Sequence, residues 1–135
     1  MSNQLSMVSA ASKPIAPIAL VLVAGSNYQV REAWIAAAIA SPPLNEKTGV
    51  LLEGLPTGIL LLESLDQLII ERIAPGCLCC IGQLAMRVTL NRLLRQNLKN
   101  LYIAINDTQH LAQLQQALLL SPYDQILQCK KVMVL

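Results

Sequence analysis

Three of the four cysteines in the chain, Cys77, Cys79 and Cys80, fall within four positions behind Pro75-Gly76; the fourth is Cys129. Adjacent Cys79 and Cys80 would pair with each other only through a strained ring, so a disulfide framework makes poor use of this spacing. Thiolates grouped on a loop are ligands for zinc or another soft or borderline divalent ion. A helix starting just after them would lower their pKa and favour the deprotonated form that a metal requires. Neighbouring cysteines in an extended segment point in different directions, so all three converge on one ion only if the loop curls or a second subunit adds ligands. The spacing lacks a CxxC pair, and free cysteines also serve as small buried hydrophobes. On the residues alone both readings stand.

The segments on either side must hold this loop. After it, Met86, Leu90, Leu93 and Leu94 recur at helical spacing with Arg87, Asn91 and Arg95 opposite, which predicts an amphipathic helix and puts the thiols at a loop-to-helix junction. Before it, Leu68 to Ile73 reads as a strand. Further back, Ile18 to Ala24 is aliphatic on both faces, as in the centre of a parallel sheet, and stops at Gly25. Ser26 or Asn27 then caps a helix with Trp34, Ile35, Ala38 and Ile39 on one stripe, closed by Ser41-Pro42-Pro43. Gly49 to Glu53 predicts a strand bounded by Gly54, and Gly58 to Leu62 is open to another. Leu101 to Ile105 predicts a strand, and Asp107 or Thr108 caps a helix carrying Leu111, Leu114 and Leu118. Lys131 to Leu135 resembles a last strand. Strands alternating with helices predict an α/β, three-layer fold: a mainly parallel sheet with helices on both faces and Ile18 to Ala24 inside it. Residues 1–14, rich in Ser, Asn and Ala, are expected to be a flexible arm, and 15–135 a single domain.

Composition narrows the partners. Lys+Arg 10 against Asp+Glu 8 gives a net charge of +2, and the longest basic run is Lys130-Lys131, which excludes nucleic-acid binding driven by phosphate neutralisation. The longest near-continuous apolar stretch, Ile15 to Ala24, is broken by Pro17 and falls short of the ~18 residues of a membrane span. The first twelve residues carry no Lys or Arg, unlike a secretory leader, so the expected location is cytoplasmic. Charged residues make up only 13% of the chain against roughly 25% in ordinary soluble domains. Apolar surface is therefore left over, and a homodimer is expected, with the edge of the Lys131 to Leu135 strand as the place where copies meet.

The stretch Ile70-Glu71-Arg72-Ile73-Ala74-Pro75-Gly76-Cys77-Leu78-Cys79-Cys80, followed by a Leu/Arg helix, resembles the CxCC signature of the CobW-type P-loop GTPases. These are metal-homeostasis and metallochaperone relatives of the urease and hydrogenase nickel-insertion GTPases. The element order fits from about Ile18 onward. In that family the first strand enters a Walker A loop, the second ends in an Asn-Glu-aromatic-Gly motif, the CxCC loop follows, and a later strand carries the Walker B acid. The resemblance implies a metal site on Cys77, Cys79 and Cys80 that Glu53 can join, Zn²⁺ or another divalent transition metal as the ion, and a metalloprotein client as partner. It places Glu53-Gly54 at the second motif, without its Asn and aromatic residue, and Ile103 to Thr108 at the Walker B segment.

Departures from the family bear on nucleotide. A working P-loop reads G-x-x-x-x-G-K-[ST]: its glycines let backbone N–H groups wrap the phosphates, Lys reaches the β/γ oxygens and the hydroxyl holds Mg²⁺. Aligned on Gly25, this chain reads Gly25-Ser26-Asn27-Tyr28-Gln29-Val30-Arg31-Glu32. Val30 replaces the second glycine, Arg31 the lysine, and Glu32 puts an anion where the hydroxyl belongs. No Asn-Lys-x-Asp guanine-reading motif occurs. GTP binding through Gly25, Arg31 and Glu32 is thus degenerate, and the expectation is a nucleotide-incompetent metal-binding module rather than an enzyme. The rivals are a GTPase or ATPase in which Arg31 stands in for Lys, and a purely structural oligomerising domain.

Single residues have plainer readings. Arg31 and Glu32 suit a solvated first helical turn, and Glu53 a strand-end carboxylate in water. Asp107 suits a helix cap, His110 a surface position, Cys129 a core cysteine, and Trp34 a core or interface anchor.

Overall fold

The computed structural model describes residues 17–40, 46–54, 61–74 and 84–135. Five strands, β1 (Ile18–Ala24), β2 (Thr48–Glu53), β3 (Leu68–Ile73), β4 (Asn100–Ile105) and β5 (Leu127–Val134), form one sheet in the order β3-β2-β4-β1-β5. Every pairing is parallel. Helix α1 (Tyr28–Ile39) follows β1, α2 (Leu84–Leu94) follows β3, and a 3₁₀ turn (Thr108–His110) with α3 (Leu111–Leu118) follows β4. The short α4 (Tyr123–Ile126) leads into β5.

Strand order fixes which face each helix covers. The chain moves from β1 past β4 to β2, but from β3 past β2 to β4 and from β4 past β1 to β5 in the opposite sense. With right-handed crossovers, opposite directions of travel put helices on opposite faces. The two cores agree: α1 brings Ile35 and Ile39 onto Val23, Val50, Leu52 and Ala104. On the other face, Met86, Leu90 and Leu93 of α2 and Leu111, Leu114 and Leu118 of α3 lie on Leu20, Leu22, Leu51, Leu101 and Ile103. The expected three layers and the interior position of Ile18 to Ala24 are both observed.

Differences from the sequence reading are local. β5 begins at Leu127, four residues before the expected start, and Leu61 and Leu62 are not in a strand. The rest of the Gly58 to Leu62 segment, the N-terminal arm, Ser41-Pro42-Pro43 and the three clustered cysteines lie outside the described residues. Among the described residues no helix is long and apolar enough to cross a membrane.

Candidate functional site

The direction of travel across the sheet reverses around β1 and β4, and open parallel sheets bind ligands in the crevice beyond the carboxyl ends of strands at such a point. In this chain that position is bordered by Gly25 and Ser26 after β1, by Glu53 at the end of β2 with Gly54 after it, and by Asn106 and Asp107 after β4.

The turn out of β1 is tight. Gly25 and Ser26 have φ of 91° and 53°, and α1 starts at Tyr28, so only three residues separate strand from helix. Asn27 is extended and its side chain accepts from the N–H of Val30 at 2.9 Å, the expected cap. Tyr28 to Val30, which align with the x-x-G part of a P-loop, form the first helical turn, and Val30 is exposed. A helical turn thus occupies the stretch that in a P-loop wraps the phosphate. Leu135 closes the turn from above: its N–H donates to Ala24 O at 2.9 Å, and a Cβ on Gly25 would sit 2.8 Å from Leu135 O.

Arg31 enters the crevice from α1 and is 1% exposed. Its Nη1 donates to Gly25 O at 2.9 Å and Ser26 O at 3.2 Å, and its Nη2 to Glu53 O at 3.4 Å. Its Nε–H has no hydrogen-bond partner among the described residues. Burial pulls its pKa below the ordinary value, and the Glu53 carboxylate opposes that pull by favouring the charged form. Glu53 is also buried, and its Oε1 accepts from the Asn106 N–H at 2.7 Å. One guanidinium and one carboxylate therefore tie together the ends of β1, β2 and β4.

A second polar group sits beside the first. Oε2 of Glu32, 1% exposed as a residue, accepts from the N–H groups of Leu61 (2.9 Å) and Leu62 (2.7 Å) and from Arg72 Nη2 (3.1 Å). Arg72 also donates to Leu62 O at 2.9 Å and, through Nε, to Tyr28 Oη at 2.8 Å. Burial raises the Tyr28 pKa, while the Arg72 hydrogen bond works against it. The Tyr28 ring lies on Gly54, where a Cβ would come within 2.5 Å of it, and Gly54 has φ 134°. Glycine is required there by both space and backbone.

Three readings of single residues are corrected. Arg31 and Glu32 are not a solvated helical turn: α1 begins directly above the crevice, so the end of β2, Arg72 of β3 and the 61–62 segment enclose them. Glu53 is not a carboxylate in water, because the chain after β4 and Arg31 close over it. Cys129 is not a core residue; it lies exposed inside β5, an edge strand with little packed on it. Asp107 is the expected cap, accepting from the Gln109 N–H at 2.8 Å, and His110 Nδ1 lies 3.7 Å from its Oδ2. Tyr28, Arg72 and Asn106 went unnoticed as site residues. Tyr28 and Glu32 one helical turn apart, with the one Arg of a mostly aliphatic strand, is the pattern that points to two of them; the Asn106 contribution is a backbone N–H and has no side-chain signature.

Cys77, Cys79 and Cys80 lie outside the described residues; among those described, no group of three or more His, Cys, Asp or Glu is placed to hold a metal. The chain nevertheless enters the cysteine segment from the crevice edge: Ile73 pairs with Glu53, and the Gly54 N–H donates to Ile73 O at 3.0 Å. No protein-family model, curated protein or solved structure matches the chain.

Proposed function

We propose that the chain is a CobW-like α/β module that does not use nucleotide and acts in metal homeostasis, holding a soft or borderline divalent ion such as Zn²⁺ on Cys77, Cys79 and Cys80 for a metalloprotein client. The observation that carries the reading is the Arg31 guanidinium. A P-loop lysine faces the phosphates; Arg31 turns back onto Gly25 O, Ser26 O and Glu53 O and fills the crevice itself. With α1 starting at Tyr28 and Glu32 committed to Arg72, neither a phosphate-wrapping loop nor a Mg²⁺ hydroxyl remains. Hydrolysis with Arg31 in the role of Lys would require these bonds to be broken first.

The donor chemistry favours thiolates over Glu53. A cation at the Glu53 carboxylate would meet the buried Arg31 charge and compete with the Asn106 N–H, so Glu53 stays with its present partners and the cysteines take the ion. Two measurements test the reading. Calorimetry with Mg·GTP and Mg·ATP should give no binding at micromolar concentration, and micromolar affinity would overturn the nucleotide-free reading. Zinc should protect thiols from alkylation, a Cys79→Ser, Cys80→Ser double variant should lose that protection, and Glu53→Gln should retain it. Equal alkylation with and without metal would leave only a structural role for the cysteines.

A further inference from the structure

Among the described residues β5 pairs with β1 alone, and no other described strand lies along its far edge. Residues 128–132 and Val134 are exposed. The pairing register shows what a strand added there would meet. Cys129, Val132 and Val134 lie in line with Leu20, Leu22 and Ala24 and so face the α3 side. There a cavity of about 70 Å³ opens between β5 and α3, lined by Leu20, Leu22, Leu118, Leu119, Leu127 and Cys129. Gln128 and Lys131 are in line with Ala19 and Val21 and face the α1 side, where Lys131 Nζ sits 5.5 Å from the centre of the Trp34 ring. Lys130 is the extra residue of a bulge between Cys129 and Lys131, opposite no residue of β1.

We infer that the free edge of β5 is a docking site for an extended, acidic segment of a partner protein, which adds to the sheet as a sixth strand with its apolar side chains on the Val132–Val134 face and its carboxylates on the Lys131 face. Charge selects this occupant. In a two-fold antiparallel pairing of β5 with a second copy, Lys130 and Lys131 at mid-strand would face their own kind, an arrangement that destabilises strand pairs. The chain's own residues 1–16 contain no Asp or Glu and add Lys13, so they bring no complementary charge. A strand with acidic side chains at alternate positions meets Lys131, with the charge of Lys130 beside it in the chain, and covers the apolar face with its other side chains; backbone bonds give affinity and alternation gives specificity. The edge lysines and the bulge also discourage indiscriminate pairing.

The test uses the full chain and three octapeptides: alternating Val and Glu, alternating Val and Lys, and four Val followed by four Glu. Trp34 is the single tryptophan, so its emission reports on Lys131, and amide exchange reports on the β5 backbone. The alternating acidic peptide should shift Trp34 emission and slow exchange across 128–134 at least tenfold, and the other two should do neither. Lys131→Glu should weaken the acidic peptide at least tenfold, and Lys130→Glu, at the bulge, serves as the second variant should the first fail to fold. No slowing by the acidic peptide, or equal binding by either control, would overturn the proposal. So would protection of 128–134 that rises with protein concentration in the absence of peptide, since it would place a second copy on this edge.

Discussion

Replacing Arg31 by Met separates a structural guanidinium from a catalytic one. The substitution keeps the length of the aliphatic stem but removes the donors to Gly25 O, Ser26 O and Glu53 O and the charge that faces Glu53. Ser26 is exposed, so water can replace its bond, whereas Gly25 O and the Glu53 carboxylate are left in a buried crevice. Leaving Gly25 O and Glu53 O without their charged donor costs about 1–3 kcal/mol each, and the attraction of the Glu53 carboxylate is lost as well, roughly 3–5 kcal/mol together. The Arg31 side chain also bears its own desolvation cost, visible in its lowered pKa, which the variant no longer has. The lower end, about 3 kcal/mol, is therefore expected. For a domain of this length that lowers Tm by roughly 12 °C, at about 4 °C per kcal/mol. Glu53→Gln added to Arg31→Met removes the carboxylate that Arg31 attracts while leaving an acceptor for the Asn106 N–H, so the double variant should cost at least about 1 kcal/mol less than the two single variants summed. Urea unfolding of the wild type, both single variants and the double variant closes the cycle. A cost below about 1 kcal/mol for Arg31→Met, or single-variant costs that simply add in the double variant, would show that the guanidinium does not hold the crevice together.

Other perturbations address the neighbouring contacts. Glu32→Ala leaves the N–H groups of Leu61 and Leu62 and the Arg72 charge without their shared acceptor and should cost about 3 kcal/mol, while Glu32→Gln, which keeps an acceptor oxygen, should cost less than half of that in the same urea assay. Gly54→Ala combines a strained backbone at φ 134° with a collision against the Tyr28 ring and should destabilise by about 2–4 kcal/mol, with loss of Tyr28 near-ultraviolet dichroism. Burial raises Tyr28 and Tyr102 above their ordinary 10.0, so the folded chain keeps protons that the unfolded chain releases. Stability should thus be insensitive to these groups below pH 10 and decline as pH rises from there towards the folded values, and Tyr102→Phe should reduce the decline measured by urea unfolding between about pH 9 and pH 11. Light scattering separates the homodimer that composition leads one to expect from the partner strand inferred for β5: a mass of 14.7 kDa at micromolar concentration agrees with the partner strand, and twice that mass together with protection of 128–134 would place a second copy on the edge instead.

The core elements were legible because their burial is written in one dimension. Ile18 to Ala24 is apolar without interruption because it is covered on both faces, and it is the interior strand that such a run implies. Leu111, Leu114 and Leu118, and likewise Met86, Leu90 and Leu93, recur at helical spacing because each helix lies on the sheet along one side. The Asn27 and Asp107 caps were equally readable, since a cap acts on N–H groups within three residues of itself. β5 was less so: an edge strand with little packed on it tolerates Gln128, Lys130 and Lys131, and polar residues in sequence read as loop. The fate of the charged residues belongs to the tertiary structure alone. The nearby partners of Arg31 are backbone carbonyls of Gly25 and Ser26, which carry no side-chain signature, and the groups that bury it and Glu32 lie far off: Glu53 is 22 residues from Arg31, and Leu61 and Arg72 are 29 and 40 residues from Glu32. Sequence supplies a charge, and without knowledge of its partners solvent is the default. Parallel pairing brings the ends of β1, β2, β3 and β4 to one edge of the sheet, where those partners meet the start of α1, and a buried charge becomes tolerable only once all of them are in place.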